Sequence, residues 1–249
     1  MQENRFGEPK IMQKTWQKLV PASRYLVLAL TLAGGTSAAA DELVEQGKAL
    51  AASGSGSVLA CATCHGAQGE GNAAGGFPFL AGQGANYLTE QLQHFASGKR
   101  SNPIMQPLAK AMTPEQMKAV SAYFAQLPAP LDKDMLSAHL DLYPSQDQVG
   151  AWVANRGDWN NNIPACIQCH GPGGVGVGDT FPALAGLPAP YISEQLKAWR
   201  DGKRDPGPLA LMGEIAKRMS DEQITATADY FAQLPATLKT QPAPEGAKK

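Results

Sequence analysis

Cys61-Ala62-Thr63-Cys64-His65 and Cys166-Ile167-Gln168-Cys169-His170 take up all four cysteines of this 249-residue chain. Cys-x-x-Cys-His, occurring twice, reads as two sites of covalent haem attachment. In each motif both thiols can form thioethers to the haem vinyl groups, the two-residue gap aligns them along one edge of the macrocycle, and the adjacent histidine reaches the iron. The same cysteines could be read in three other ways. A zinc site wants four N or S ligands; each motif offers three, and the pairs lie about a hundred residues apart. A thioredoxin-type pair wants a strand-helix-strand context rich in β-branched runs, which this chain lacks. A structural disulfide within each pair is the plain alternative for an exported protein.

Export is written into the first forty residues. Arg5, Lys10, Lys14, Lys18 and Arg24 precede the apolar stretch Tyr25 to Ala33, which leads to Ala38-Ala39-Ala40. A basic region, a short apolar region and a small-residue exit describe a signal peptide over 1–40, with Met12 as an alternative start. The apolar run is far shorter than the ~20 residues that span a bilayer. Cleavage before Asp41 would deliver the mature chain to a periplasm without a membrane span, leaving peripheral association with a membrane surface open. The full chain has a net charge of −1, and loss of the basic leader leaves about −4. Nucleic acid is not an expected partner, because Lys and Arg are sparse and unclustered. Mild acidity suits steering toward a basic patch on a redox partner.

An internal repeat fixes the domain count. Phe77-Pro78-Phe79-Leu80-Ala81-Gly82 returns as Phe181-Pro182-Ala183-Leu184-Ala185-Gly186, and Tyr87-Leu88-Thr89-Glu90-Gln91-Leu92 as Tyr191-Ile192-Ser193-Glu194-Gln195-Leu196. Gly98-Lys99-Arg100 returns as Gly202-Lys203-Arg204, and Tyr123 to Pro128 as Tyr230 to Pro235. The expected organisation is a first domain over 41–130, a linker over 131–145, a second domain over 146–236 and a disordered tail over 237–249. Each domain holds one haem motif.

The elements are helical. Thr113-Pro114-Glu115-Gln116 and Ser220-Asp221-Glu222-Gln223 are capping-box sequences that open the last helix of each half. Met117, Val120, Phe124 and Leu127 form a helical apolar stripe, as do Ile224, Thr227, Phe231 and Leu234, and both read as core. Earlier helices are expected over 41–52, 85–97, 147–155 and 190–200. The fold class is therefore all-α, two tandem helical domains in which the macrocycle supplies core that a chain of some ninety residues lacks.

For the sixth iron position, Met105 lies forty residues after His65 and Met212 forty-two after His170. A thioether is a soft neutral ligand that favours ferrous iron. Met112 and Met219 also correspond between the halves and remain rivals. Met105 and Met212 are preferred because they sit in Pro- and Gly-rich stretches expected to be loops, while Met112 and Met219 are placed to staple the final helices. His94 and His139 have no counterpart in the repeat and read as surface or packing residues.

With its paired motifs and repeated segments, the whole mature chain resembles the dihaem cytochrome c4 family, a tandem of class I cytochrome c domains. The resemblance implies two haem c groups attached through Cys61, Cys64, Cys166 and Cys169, proximal ligands His65 and His170, and distal ligands Met105 and Met212. It implies two haems facing across a pseudo-twofold interface, with Pro78 and Pro182 holding the backbone behind each proximal histidine. It also implies an electron carrier in a respiratory chain, with a quinol-cytochrome c reductase or a dehydrogenase as donor and a terminal oxidase as acceptor. The second half departs from the first at Arg156 to Asn162 and at Asp205 to Pro208. Alternative functions are a dedicated redox subunit of a dehydrogenase or oxidase complex, or a dihaem enzyme such as a peroxidase or thiosulfate dehydrogenase. The enzyme would need an open iron site with acid-base residues beside it.

Overall fold

A computed structural model describes residues 35–138, 144–207 and 209–240. Among these residues the structure is helical, and extended pairing is limited to isolated bridges. The first lobe comprises α1 (Gly35–Ser53), α2 (Ala62–His65), α3 (Ala85–Ser97), α4 (Met105–Lys110) and α5 (Pro114–Gln126). α6 (Lys133–Ala138) follows, and the second lobe repeats the plan with α7 (Val149–Arg156), α8 (Ile167–His170), α9 (Ala189–Arg200), α10 (Leu211–Arg218) and α11 (Asp221–Thr240). From Thr36 onward the described residues form one compact unit containing both lobes.

The capping boxes operate as the sequence indicates. Gln116 N–H donates to Thr113 Oγ1 at 3.2 Å while Thr113 N–H donates to Gln116 Oε1 at 2.9 Å. Ser220 and Gln223 exchange the same pair of bonds at 3.0 and 3.1 Å. Both apolar stripes turn inward. Val120 and Phe124 belong to the first core with Leu50, Val58 and Leu88, and Ile224, Ala228 and Phe231 to the second with Val153, Ile163 and Ile192. Phe79, from the first repeat, is counted in the second lobe's core and so ties the lobes together.

In each lobe the first helix crosses the last at a glycine. A Cβ on Gly47 would lie 2.0 Å from the carbonyl oxygen of Ala119, and one on Gly150 would lie 2.1 Å from that of Ala226. Only a residue without a Cβ allows backbones to approach this closely.

Several expectations are corrected. The segment expected to be a linker over 131–145 contains α6, whose Leu136 has no exposed surface and packs with Ala185, Leu234 and Leu238 on the second lobe. Residues 237–240, expected to open a disordered tail, are helical: α11 continues through Pro235 to Thr240, with Leu238 buried in that same cluster. Met105 and Met212 lie in the first turns of α4 and α10 rather than in loops. The leader over 1–34, His139 and residues 241–249 fall outside the described residues.

Candidate functional site

Each Cys-x-x-Cys-His segment forms a single helical turn. His65 N–H donates to Cys61 O at 2.9 Å, and His170 N–H donates to Cys166 O at 2.9 Å. The turn ends because Gly66 (φ 85°, ψ 155°) and Gly171 (φ 79°, ψ 162°) adopt a conformation essentially restricted to glycine. Chain reversal then brings the Phe-Pro segment behind the histidine. His65 Nδ1 donates to Pro78 O at 2.8 Å, and His170 Nδ1 donates to Pro182 O at 2.8 Å. The prolines thus hold the imidazole ring, a refinement of the expectation that they hold the histidine backbone. Phe77 and Phe181 meet the two rings edge-on, with centroids 6.1 and 6.2 Å apart.

The electrostatics suit ligation. Burial lowers the affinity of both imidazoles for a proton, outweighing the opposite pull of the proline carbonyls. A neutral ring with its Nδ1 proton committed to a carbonyl leaves Nε2 as a free donor, the arrangement seen in metal-ligating histidines. Burial pushes the Cys61 thiol up, and the Cys166 thiol up to about 12. These are not activated thiolates of the thioredoxin kind, whose pKa is depressed. Among the described residues no group of three or more His, Cys, Asp or Glu side chains is arranged to hold a metal ion.

Facing His65 is a cavity of about 480 Å³, within the roughly 300–1,000 Å³ common for small-molecule and cofactor sites. Cys61, Cys64 and His65 line one side, and Leu88, Leu92, Val120 and Phe124 form apolar walls. Both Met105 and Met112 line it. Ser121 Oγ, also among the lining residues, is buried without a hydrogen-bond partner in the protein. An apolar slot closed by thiols and a neutral imidazole, with a thioether in its lining and an orphaned hydroxyl in its wall, fits a haem. In the second lobe Met219 is buried in the core and Met212 is half-buried against it. This separation favours Met212 as the more available thioether there.

The lobe interface closes the remaining side. Tyr191, Glu194 and Gln195 of the second lobe line the first lobe's cavity together with Arg100, Gln91 and Tyr87 of the first. Pro182, whose carbonyl holds His170, lines it as well. Sequence reading noted these segments only as repeats. The signal that could have singled them out is the recurrence of polar Tyr, Gln and Arg at matching places in both halves, where solvent-facing positions would be free to diverge. His94 lies beside Glu90 on α3, at 3.9 Å, and takes no part in the cavity.

Comparison with known proteins identifies the family. The family described as Cytochrome c matches residues 44–128 and 161–235. A protein named thiosulfate dehydrogenase electron acceptor from Stutzerimonas stutzeri is 52% identical over 176 residues, which cover 71% of this chain and 79% of the relative. Cytochrome c4 from Pseudomonas aeruginosa is 34% identical, with 84% of this chain and 96% of the relative covered. The solved structure of a thiosulfate dehydrogenase (TsdBA) from Marichromatium purpuratum superposes with a TM-score of 0.68 at 38% identity. That match covers 83% of this chain but spans only 44% of the solved one.

Proposed function

Because the chain belongs to the cytochrome c family as a tandem, dihaem member of the cytochrome c4 type, we propose that it is a periplasmic electron carrier that accepts electrons from a thiosulfate-oxidising dehydrogenase. It carries two covalently bound haem c groups. Cys61 and Cys64 attach the first and Cys166 and Cys169 the second, with His65 and His170 as proximal ligands and Met105 and Met212 as distal ligands. When bound, each haem supplies an iron that takes up and returns one electron.

The remaining work falls to the protein. Thioether attachment keeps the cofactor from leaving, and the bonds to Pro78 and Pro182 fix each imidazole's orientation and tautomer. The methionine thioether favours the ferrous state relative to a second imidazole. The apolar walls exclude water. With His65 and Met105 holding one iron and His170 and Met212 the other, each site would be suited to passing electrons rather than to binding a substrate at iron. The observation carrying this reading is the duplicated cradle: a ring-holding proline carbonyl behind each histidine, and beside His65 a haem-sized cavity with a thioether in its lining.

The donor assignment rests on the 52%-identical relative named as an electron acceptor of thiosulfate dehydrogenase. It lies closer to a dedicated redox subunit than to a general shuttle between respiratory donors and a terminal oxidase. An oxidase remains the proposed downstream acceptor. Among the described residues no helix is long and apolar enough to cross a membrane.

The test is a stopped-flow experiment on the ferric protein. Mixing with thiosulfate plus a thiosulfate dehydrogenase should reduce both haems, while thiosulfate alone should leave them ferric. Reduction by thiosulfate alone would replace the carrier reading with an enzymatic one, and failure to reduce with the dehydrogenase present would remove the proposed donor. Met105→His should abolish the sulfur-ligation band of the first haem and lower its potential. An unchanged spectrum and titration would transfer the distal role to Met112.

A further inference from the structure

Gln83 is buried where the lobes meet, 4% exposed, and commits both ends of its amide to one residue of the other lobe. Ala183 N–H donates to Gln83 Oε1 at 2.9 Å, and Gln83 Nε2 donates to Ala183 O at 3.2 Å. The N–H of Ala183 and the carbonyl of Pro182 belong to a single planar amide. Pro182 O is in turn the group that accepts from His170 Nδ1 at 2.8 Å. A chain of hydrogen bonds therefore runs from the first lobe's Gln83, through one peptide group, to the imidazole of the second lobe.

The repeat does not reproduce this chain. Much of the interface is symmetrical: Arg100 donates across it to Gln195 Oε1 and the Tyr191 hydroxyl, and Arg204 donates back to Gln91 Oε1 and the Tyr87 hydroxyl. Ala183, however, corresponds to Phe79 in the first half, and Gln83 corresponds to Leu187 in the second. Phe79 and Leu187 are both buried in one apolar cluster, and a leucine side chain has no acceptor to offer the Pro78–Phe79 peptide. The two histidine cradles otherwise correspond, with Nδ1 bonds of 2.8 Å in both and edge-on phenylalanines at 6.1 and 6.2 Å.

We propose that Gln83 is a positioning residue for the second haem, acting from the first lobe: it polarises the Pro182–Ala183 peptide, strengthens the hydrogen bond from His170 and lowers that iron's potential. This rests on the reading of His65 and His170 as iron ligands. An amide whose N–H is engaged is a better acceptor at its carbonyl oxygen, and hydrogen bonds linked in series reinforce one another. A better acceptor draws the Nδ1 proton further from the ring, which makes Nε2 a more basic ligand. A more basic ligand favours ferric iron. With Leu187 in the matching place, the first iron receives no equivalent adjustment.

The test is a redox titration of the full-length holoprotein followed by NMR, each iron's state being read from the resonances of its own histidine. Gln83→Leu installs the residue that the repeat places at 187. It is expected to raise the second haem's potential by about threefold in the ferric-to-ferrous equilibrium constant, roughly half of the 59 mV that tenfold represents for a one-electron couple. Gln83 itself lines the cavity beside His65, so the readout is the contrast between the haems, and the first should move less. In the ferrous protein the His170 Nδ1–H resonance should shift upfield while that of His65 stays in place, a selectivity that loss of interface packing alone would not produce. An unmoved His170 resonance, or a potential shift that is absent, equal at the two haems or larger at the first, would overturn the proposal. Should Gln83→Leu fail to fold, the unaltered protein decides: the His170 Nδ1–H should resonate downfield of that of His65, and coincidence or the reverse order would overturn the proposal. Fewer than two haems per chain by pyridine haemochrome, or a histidine whose resonances ignore the redox state of the iron, would instead overturn the ligand reading on which it rests.

Discussion

Gly150→Ala should destabilise the second lobe even though alanine is the better helix former. In an exposed helix the exchange would gain about 1 kcal/mol. Here the added Cβ would stand 2.1 Å from the Ala226 carbonyl oxygen, 2.5 Å from its carbon and 3.1 Å from Tyr230 Cβ. Ordinary contact begins near 3.4 Å, so α7 and α11 must part by roughly 1.3 Å to restore van der Waals separation. The obstructing atoms belong to helical backbone and cannot rotate aside. The cost therefore falls at the upper end of the ~1–3 kcal/mol typical of overpacking. Subtracting the propensity gain leaves a net loss of about 2 kcal/mol, or roughly 8–16 °C in melting temperature for a lobe of this size. Thermal unfolding of the holoprotein followed by far-ultraviolet circular dichroism measures it. Gly47→Ala, whose Cβ would stand 2.0 Å from the Ala119 carbonyl oxygen, should behave alike in the first lobe. If either variant melts at or above the parent temperature, the helices do not cross in backbone contact and the argument fails.

Leu136→Ala removes a side chain with no exposed surface from the cluster formed with Ala185, Leu234 and Leu238. It should cost about 2–5 kcal/mol in denaturant titrations, whereas a loose linker would lose almost nothing. Gln83→Ala deletes two bonds across the lobe interface, from Gln83 Nε2 to Ala183 O at 3.2 Å and from Ala183 N–H to Gln83 Oε1 at 2.9 Å. Leaving that backbone unpaired should cost about 1–3 kcal/mol, visible as a lower denaturation midpoint with the haem count unchanged. Bonds from Asn161 and Gln223 hold the Asp158 carboxyl below its ordinary value of 3.8. A carboxyl depressed in the folded state contributes stability that is present above 3.8 and lost as pH falls through the folded value. The stability gap between the parent and Asp158→Asn should therefore narrow on acidification below that point, and a gap that widens would reverse the assignment.

Much of this architecture was legible in the residues because its signals are local. A capping box declares itself within four positions, as at Thr113 and Ser220, and each apolar stripe behind it needs only helical spacing to be read. The haem motifs are also contiguous, and the turn that places His65 is closed by its own Gly66. What escaped depends on partners far along the chain. Nothing within 131–145 shows that Leu136 will meet Leu238, so α6 read as a linker and the residues from 237 as a tail. The helical start at Met105 is set by Asn102, whose side-chain oxygen accepts from the Ile104 and Met105 N–H groups, both at 2.9 Å; a Pro- and Gly-rich composition obscured it. Arg100 reads only as part of a repeated segment until its lattice is assembled from four other side chains, two of them nearly a hundred positions away.

The same contrast explains why the halves match in some places and differ in others. An interface with twofold character is self-complementary, so each contact appears twice with its partners exchanged. A duplicated chain that folds back on itself meets that requirement with a single set of residues repeated. Arg100 with Tyr191 and Arg204 with Tyr87 are one contact written in both directions, and Gln91 and Gln195 serve as acceptors in both. The connection between the halves has no such symmetry. A chain leaving α5 must travel to α7, and nothing in the first lobe makes the equivalent journey. α6 and the extension of α11 exist on one lobe only, where they bury Leu136, Leu234 and Leu238 together. The departure at α6 and the α11 extension thus follows from the path of the polypeptide, while the repeated Arg, Tyr and Gln form the surface the two lobes share.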